Sequence, residues 1–249
     1  MSADWPIGLG LLGAIFGSFI AALVIRWPQG RSVMRGRSAC DACGRTLHTH
    51  ELVPVLSYLV QRGRCRGCGA AIDPTHVGVE VAGLAIGAVA GLVAPGWIGV
   101  SGAVFGWLLL ALAALDLAAF WLPDRLTGML AVAGVVAGVA GFAPAIEDRL
   151  IGGVAGYGVL AAIAWGYRVW RGREGMGGGD PKLMGAIGLW LGWRMLPAVL
   201  VIASMAGLGV ALFAHLTGRS VARDTALPFG TLLAVAAYPA WIAMIVSTA

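Results

Sequence analysis

The chain has 249 residues, of which 59% are hydrophobic and only 12% are charged, and its mean hydropathy is +0.86. Soluble domains are about 45–50% apolar and about 25% charged, so this composition excludes an ordinary soluble domain and predicts a polytopic membrane protein. The net charge of +5 comes almost wholly from arginine, because Lys182 is the only lysine. Aromatic and basic residues are not interleaved, so membrane topology explains the charge better than nucleic acid binding does.

The hydrophobic runs predict an all-α fold with about eight transmembrane helices, since a spanning helix needs about 20 apolar residues. The predicted segments are 5–25, 78–94, 98–116, 126–143, 149–168, 183–195, 197–216 and 228–247. The first lacks the basic residues that precede a signal peptide core, so we interpret it as a retained helix. The sixth is short, and the sequence leaves open whether it forms one broken unit with the seventh around Pro197. The predicted domains are the first helix (1–25), a polar loop (26–77) and a membrane core (78–249).

The basic residues set the orientation, because cytoplasmic loops carry an excess of arginine and lysine. With the N-terminus outside, the inner segments are 26–77, 116–126, 168–183 and 217–227. These segments hold 15 of the 17 basic residues, and only Arg149 and Arg194 lie elsewhere. The sequence therefore predicts a multi-pass protein of the lipid bilayer whose large loop faces the cytosol.

All four cysteines lie in that loop, as Cys40-x-x-Cys43 and Cys65-x-x-Cys68. Paired Cys-x-x-Cys motifs at this separation predict a structural zinc site, because four thiolates complete a tetrahedron. Disulfides and a redox dithiol are the alternatives, but thiols stay reduced in the cytosol and a redox site needs only one pair. The full fold prediction is thus an all-α membrane protein with a cytosolic zinc-binding loop domain.

Two aspartates stand at the cytosolic ends of apolar runs, Asp116 at the end of the third segment and Asp180 before the sixth. Acids at a membrane are costly and usually functional, so the two predict one shared site. Gly177 and Gly179 allow close approach of the backbone beside Asp180. For a lone Asp180, an N-cap role would be an equally good explanation.

The expected roles of the two acids differ. Lys182 and the start of a helix both favour the charged form of Asp180, whereas the long apolar run and a helix C-terminus favour a neutral Asp116. The sequence therefore favours Asp180 as the base. Asp124 is expected to cap the fourth helix.

These residues match a family: the chain resembles the type IV prepilin peptidases, which are membrane aspartic proteases, over nearly its whole length. The motifs that carry the resemblance are Gly17-Ser18-Phe19 with Arg26-Trp27-Pro28, the two cysteine pairs, Pro54-x-x-Ser57-Tyr58, Asp116 with Leu122-Pro123-Asp124, Gly177-x-Gly179-Asp180-x-Lys182, and Leu227-Pro228-Phe229-Gly230. The Gly-x-Gly-Asp motif alone is short and is shared with presenilin-like proteases. The combination with the cysteine loop, in this order, is highly specific.

The resemblance implies a bacterial inner-membrane enzyme that cleaves the leader from pilin or pseudopilin precursors, as in type IV pilus and type II secretion systems. Its catalytic residues would be Asp116 and Asp180, with support from Lys182, Gly177, Gly179, Glu80 and Glu51. Many members then methylate the new N-terminus with S-adenosylmethionine. This chain lacks the family's asparagine within His50–Pro54 and has Pro181 after the second aspartate, so a peptidase without methyl transfer is an alternative. For Glu80, binding of the basic leader and pairing with an arginine are both open. For Glu51, the alternatives are a role in the methyl-transfer site and a solvated loop charge, and the sequence favours the second.

Two rival functions come from other classes. A proton- or cation-coupled transporter also uses intramembrane acids, but it predicts acids near the midplane and inverted repeats, and no repeat is evident. A zinc-loop scaffold without chemistry predicts that Asp116→Asn and Asp180→Asn change only stability.

Overall fold

The computed structural model describes residues 4–34, 37–217 and 227–248, and these residues are helical apart from loops and turns. The helices are α1 (Asp4–Arg26), α2 (Leu56–Val60), α3 (Pro74–Val93), α4 (Trp97–Ala119), α5 (Asp124–Val139), α6 (Ile146–Arg171), α7 (Gly179–Leu191), α8 (Leu196–Leu216) and α9 (Phe229–Thr248). Each predicted apolar segment corresponds to one of these helices, and α2 lies inside the polar loop. Arg35, Arg219 and Arg223, which the topology prediction used, lie outside the described residues.

Six of the described helices are long and apolar enough to cross a membrane, which makes the protein multi-pass. The other two predicted spans are shorter, with 16 residues in α5 and 13 in α7. A count of eight spans is therefore approximate, since a helix of 13 residues rises only about 20 Å. The break before α8 occurs at Gly192, where φ is +70°, and not at Pro197, which occupies the first turn of α8.

Contacts divide the chain into two compact units, Met1–Ala111 and Leu112–Ala249, with the division inside α4. Our division at residues 25 and 77 follows polarity instead of contacts, and it stays a prediction.

In the first unit, α1 and α3 pack so closely that glycine is required at several positions along their contact, which we call the glycine seam. A Cβ at Gly13 would collide with the carbonyl of Gly83, and one at Gly17 would lie 2.7 Å from the Cα of Glu80. Small residues let membrane helices gain van der Waals contact in this way. Trp107 on α4 adds a hydrogen bond from its indole N–H to the Gly83 carbonyl at 3.0 Å.

In the second unit, α7 is the most enclosed element and packs against α5, α6 and α9. Leu183, Met184 and Ile187 are completely inaccessible to solvent. Close approach to α6 again depends on glycine, because a Cβ at Gly188 would collide with the carbonyl of Gly152. This packing fixes the start of α7, and hence Asp180, inside the unit.

Arg149, one of the two basic residues outside the predicted cytosolic segments, is only 2% exposed on α6. Its five N–H groups donate to five backbone carbonyls at 2.8–3.2 Å. Two of them, on Gly134 and Leu189, belong to α5 and α7. Arg149 is therefore a structural tie between helices and not a loop charge that reports topology.

Candidate active site and metal centre

Asp116 lies in the last turn of α4 and is 5% exposed. Its Oδ2 accepts a hydrogen bond of 2.7 Å from the backbone N–H of Thr231, in the first turn of α9. The Thr231 hydroxyl lies 3.1 Å from the same oxygen and 2.9 Å from the carbonyl of Ala113, so it can donate to either. Asp116 thus sits at the N-terminus of α9, where the helix dipole favours a negative charge.

Asp180 is the second residue of α7 and is also 5% exposed. It does not cap the helix, because the N-cap position is held by Gly178. A Cβ at Gly177 would lie 3.3 Å from Asp180 Oδ2, so this glycine leaves the carboxyl its space. Pro181 follows within the first turn, where its missing N–H costs nothing.

The charge of Asp116 acts on the Asp180 carboxyl, so the two acids lie near each other within the second unit. Burial, and then the charge of Asp116, raise the pKa of Asp180 from its usual 3.8 to about 6. The contacts therefore favour the reverse of the assignment that the sequence context suggested. Asp116 has the hydrogen-bond donors of a charged group, and Asp180 has the surroundings of a protonated one.

Leu122 joins the two halves of this site. A Cβ at Gly179 would lie 2.8 Å from Leu122 Cβ, and one at Gly230 would lie 2.7 Å from Leu122 Cδ1. The added Cβ at Gly230 would also lie 3.0 Å from Asp116 Oδ2. The site therefore depends on two close approaches that only glycine permits, one at the start of α7 and one at the start of α9.

Lys182 pairs with an acid other than Asp180. Its Nζ lies 2.7 Å from Asp124 Oδ1 in an exposed ion pair. Asp124 is the first residue of α5 and caps nothing, because Pro123 holds the N-cap position. The expected support of Lys182 for Asp180 is thus not a direct contact.

The sequence did not indicate that Thr231 contacts Asp116. The Leu227–Gly230 motif marked the entry to the last helix, but nothing local links Thr231 to an aspartate 115 positions earlier. The one usable signal was the glycine before it, since Gly230 at a helix start indicates close approach of another chain segment.

The four cysteines form a single cluster in the first unit. Their Sγ atoms all lie within 4.8 Å of one another, and among the described residues this group contains no histidine, aspartate or glutamate. The two Cys-x-x-Cys segments, which we call the knuckles, have the same backbone. In each, the first cysteine N–H donates to the carbonyl five residues on, and a glycine at φ near +70°, Gly44 or Gly69, donates back to the first cysteine.

The cluster has the dimensions of a metal site. Tetrahedral zinc with thiolates at about 2.3 Å separates the sulfurs by about 3.8 Å. Cys40 Sγ and Cys68 Sγ, one from each knuckle, lie 4.0 Å apart. The cysteines are free thiols at this distance, which is about twice a disulfide bond. A four-cysteine cluster that could bind a metal ion such as zinc is therefore present.

Loss of the metal is expected to loosen the loop. We expect Cys65→Ser, or a strong chelator, to make the loop at least about tenfold more sensitive to trypsin at Arg62, Arg64 and Arg66, because local unfolding exposes their backbone. Mass spectrometry of the fragments and elemental analysis of bound zinc are the readouts. His50→Ala is the control, since this side chain is in the same loop but outside the cluster. Purified wild type without metal, indifferent to chelators, would contradict the expectation.

The two predicted supporting glutamates also lie in the first unit and are buried. Glu51 is 6% exposed and forms an ion pair of 2.6 Å with Arg45. That guanidinium, with the backbone N–H of His48, lowers the pKa of Glu51 to about 2. Glu80 is 7% exposed and accepts a hydrogen bond of 2.7 Å from the N–H of Val55. Glu51 is therefore not a solvated loop charge, and the partner of Glu80 among the described residues is a backbone N–H and not the arginine that was one expectation.

A buried pair of aspartates in one unit and a four-cysteine cluster in the other define the class: a multi-pass membrane protein with a candidate acid–base site. Comparison with known proteins supplies the family. Residues 11–93 match the family model described as the bacterial peptidase A24 N-terminal domain, and residues 103–212 match the type IV leader peptidase family. The chain belongs to the type IV leader peptidase family.

Individual relatives of the chain carry names of the same family. The chain is 39% identical to a prepilin leader peptidase/N-methyltransferase of Aeromonas hydrophila, over 86% of this chain and 73% of the relative. It is 44% identical to the protein of the same name from Burkholderia pseudomallei strain K96243, over 93% of this chain and 85% of the relative. No solved structure shows a significant match.

Proposed function

We propose that the protein is an aspartic endopeptidase of the bacterial inner membrane that cleaves the leader from prepilin-like precursors. The observation that carries the proposal is the buried, interacting aspartate pair, Asp116 and Asp180, in a family of leader peptidases. The relatives are named for prepilin cleavage, which supports pilin or pseudopilin precursors as substrates. A transporter is less well supported, because the matched family is one of peptidases.

In the reactive protonation state of the site, Asp116 is the ionised carboxylate and Asp180 carries the proton. Asp116 takes a proton from water as the water oxygen bonds to the scissile carbonyl carbon, and Asp180 protonates the carbonyl oxygen. When the carbon–nitrogen bond breaks, the leaving nitrogen takes the proton from Asp116, and Asp180 regains one from a hydroxyl of the intermediate. One water is consumed, one peptide bond is cleaved, and the aspartate pair again holds one proton.

Thr231 acts as a positioning residue in this scheme. Its N–H donates to Asp116 Oδ2 at the start of α9, and its hydroxyl lies within reach of the same atom, so the other oxygen of Asp116 is left to take the proton from water. Desolvation of Asp180 keeps its proton at a pH where an ordinary aspartic acid would have lost it.

We further propose that the aspartate pair and the loop face the cytosol, on the evidence of the arginines. Arg31, Arg45, Arg62 and Arg171 all lie in segments on the same predicted side as Asp116, and the excess of basic residues marks the cytoplasmic face. Because Arg149 is a structural tie, the arrangement has only Arg194 as an outer basic residue, and this one lies 4.0 Å from Asp148.

The cysteine cluster is proposed to hold structural zinc. Four thiolates leave no open position on the ion, so zinc would stabilise the loop and supply no reaction step.

A second reaction is proposed for the cleaved product. S-adenosylmethionine would supply a methyl group to the new N-terminus, as the N-methyltransferase name of the relatives indicates. The amine of the new N-terminus would accept this methyl group, and the proton that the amine then releases would pass to water. The missing asparagine within His50–Pro54 makes the alternative, a peptidase without methyl transfer, worth testing in the same experiment.

The test is incubation of purified protein in detergent with a prepilin-like peptide, with and without S-adenosylmethionine, followed by mass spectrometry. We expect a cleaved product without the donor and an added methyl group with it. Absence of cleavage across a wide pH range overturns the peptidase proposal. Cleavage without any methylation leaves the peptidase and removes the second reaction.

A further inference from the structure

The two knuckles follow the same backbone path, but the residues that come after them differ. The N–H of Cys40 donates to the carbonyl of Arg45 at 2.9 Å. The N–H of Cys65 donates to the carbonyl of Ala70 at the same distance. Arg45 and Ala70 therefore occupy equivalent positions, and only the first of them has a side chain long enough to reach beyond its own turn.

The Arg45 side chain crosses from the first knuckle to the second. A Cβ at Gly67, between Cys65 and Cys68, would lie 2.8 Å from Arg45 Nε and 3.0 Å from its Cδ. The guanidinium also interacts with the Cys65 sulfur. The equivalent position in the first knuckle is Ala42, so the turn itself does not require glycine. Gly67 therefore leaves space for a side chain that comes from the other knuckle.

A buried acid holds the end of the same side chain. Arg45 Nη2 donates to Glu51 Oε1 at 2.6 Å, and the Glu51 side chain is only 1% exposed. The second carboxylate oxygen accepts a hydrogen bond of 2.9 Å from the N–H of His48. A guanidinium can serve two acceptors at once, because its five donors spread in one plane. Arg45 thus connects a buried acid to the cysteine cluster.

One donor of Arg45 has no assigned acceptor. Its Nε is inaccessible to solvent and has no hydrogen-bond partner of good geometry among the described residues. A buried donor without an acceptor is costly. Cysteine binds metal as the thiolate, whose negative charge makes it a stronger acceptor than a thiol. The unused donor therefore fits a cluster in which Cys65 is a metal ligand.

We propose that Arg45 is a positioning residue of the metal centre, which orients the Cys65 thiolate and ties it to Glu51. Groups that hydrogen bond to metal ligands are typically worth about 10–100-fold in metal affinity. The inference rests on the proposed structural zinc and adds the side chains that retain it. It also gives Glu51 a role outside peptide cleavage, as the acid that holds Arg45 in place.

The first test is the rate of zinc release from the purified full chain in detergent, followed with an excess of a chromogenic chelator. We expect release about tenfold faster or more in Arg45→Ala. The increase should be smaller in Glu51→Gln, which keeps Arg45 and an acceptor for the His48 N–H. Arg66→Ala is the matched control, since this exposed arginine lies inside the second knuckle, and its release rate should stay within about twofold of wild type.

Gly67→Ala tests the contact while every charge stays in place. The added Cβ displaces the flexible Arg45 side chain, and the Gly67 N–H can still donate to Cys65 Sγ, from which it lies 3.4 Å. We expect faster zinc release in Gly67→Ala. The same substitution should have no further effect when Arg45 is already alanine, because the side chain that the Cβ would meet is gone.

Cobalt(II) in place of zinc gives a spectroscopic signature. The thiolate-to-metal charge-transfer band should move to longer wavelength in Arg45→Ala and in Gly67→Ala, because a sulfur that loses a hydrogen bond gives up its electrons more readily. An arginine that only stabilises the loop would speed metal release without moving this band.

The outcomes separate this inference from the zinc proposal beneath it. Wild type that binds neither zinc nor cobalt overturns both. Metal-loaded wild type whose release rate and cobalt band are unchanged in Arg45→Ala and Gly67→Ala overturns this inference and leaves the zinc site intact. Faster release with an unmoved band overturns the positioning role as well. If Arg45→Ala fails to fold, Gly67→Ala carries both measurements.

Discussion

Asp116→Asn and Asp180→Asn are each expected to lower the rate of leader cleavage by about 10³-fold or more, because general acid–base catalysis is lost with either carboxyl. Asparagine has nearly the same size and shape as aspartate, so the purified variants should retain their metal and unfold near the temperature of the wild type. The measurement is the rate of product formation by mass spectrometry under saturating peptide.

Asp124→Asn is the matched control. Asp124 is an acid in the same unit, but its side chain is 73% exposed and pairs with Lys182. We expect its cleavage rate to stay within about twofold of wild type, since exposed ion pairs contribute little. Full cleavage activity in either variant of the aspartate pair would contradict the proposed mechanism.

The same variants separate the two roles. Asp180 is protonated below its raised pKa of about 6, so a protonated carboxyl gives an infrared band there. At a pH about one unit below this pKa, the band should vanish in Asp180→Asn. It should persist in Asp116→Asn, because burial is the largest cause of the raised pKa of Asp180 and is unchanged in that variant. The opposite pattern would return the role of base to Asp180, as the sequence context suggested.

Gly230→Ala is expected to have the next largest effect. Its Cβ would lie 3.0 Å from Asp116 Oδ2 and 2.7 Å from Leu122 Cδ1, so Leu122 or the carboxyl must move. A displacement of about 1 Å at a catalytic group can lower kcat by about 10²-fold. The readouts are kcat and KM, and we expect kcat to fall while the protein remains folded.

The control for this substitution is Gly209→Ala on α8, where an added Cβ has no neighbour within 4 Å. It should be as active as the wild type and slightly more stable, because alanine favours the helix over glycine. Similar activity in the two variants would show that Gly230 does not confine Asp116.

The helices could be predicted because their main determinant is local. Each apolar run corresponds to one helix. Glycine and proline both interrupt helices, and of Gly192 and Pro197 it is the glycine at which the break between α7 and α8 occurs. The length of α7 was harder to predict, since Gly192 ends this helix after only 13 residues, at a backbone φ of +70°.

The site was only partly predictable. Asp116, Asp180 and the cysteines could be named because their residue types are rare or costly in an apolar chain. Thr231 could not, since its role comes from the packing of α9 beside the end of α4. Lys182 looked like a partner of Asp180 from adjacency, but its Nζ forms an ion pair with Asp124 on another helix. The contacts of Thr231 and Lys182 depend on distances between helices, which the spacing of residues along the chain does not give.

The glycine seam has a consequence for how the cysteine loop folds. Residues 27–73 leave from α1 and return through α3, whose backbones touch from Gly13 and Gly17 to Gly83 and Glu80. Because the paired helices hold the two ends of this long loop together, the entropic cost of closing the loop is incurred when the helices pair. Helix pairing in turn raises the effective concentration of one cysteine pair near the other, as a linker does for two tethered binding groups. Assembly in the bilayer thus makes the loop easier to order before any metal arrives.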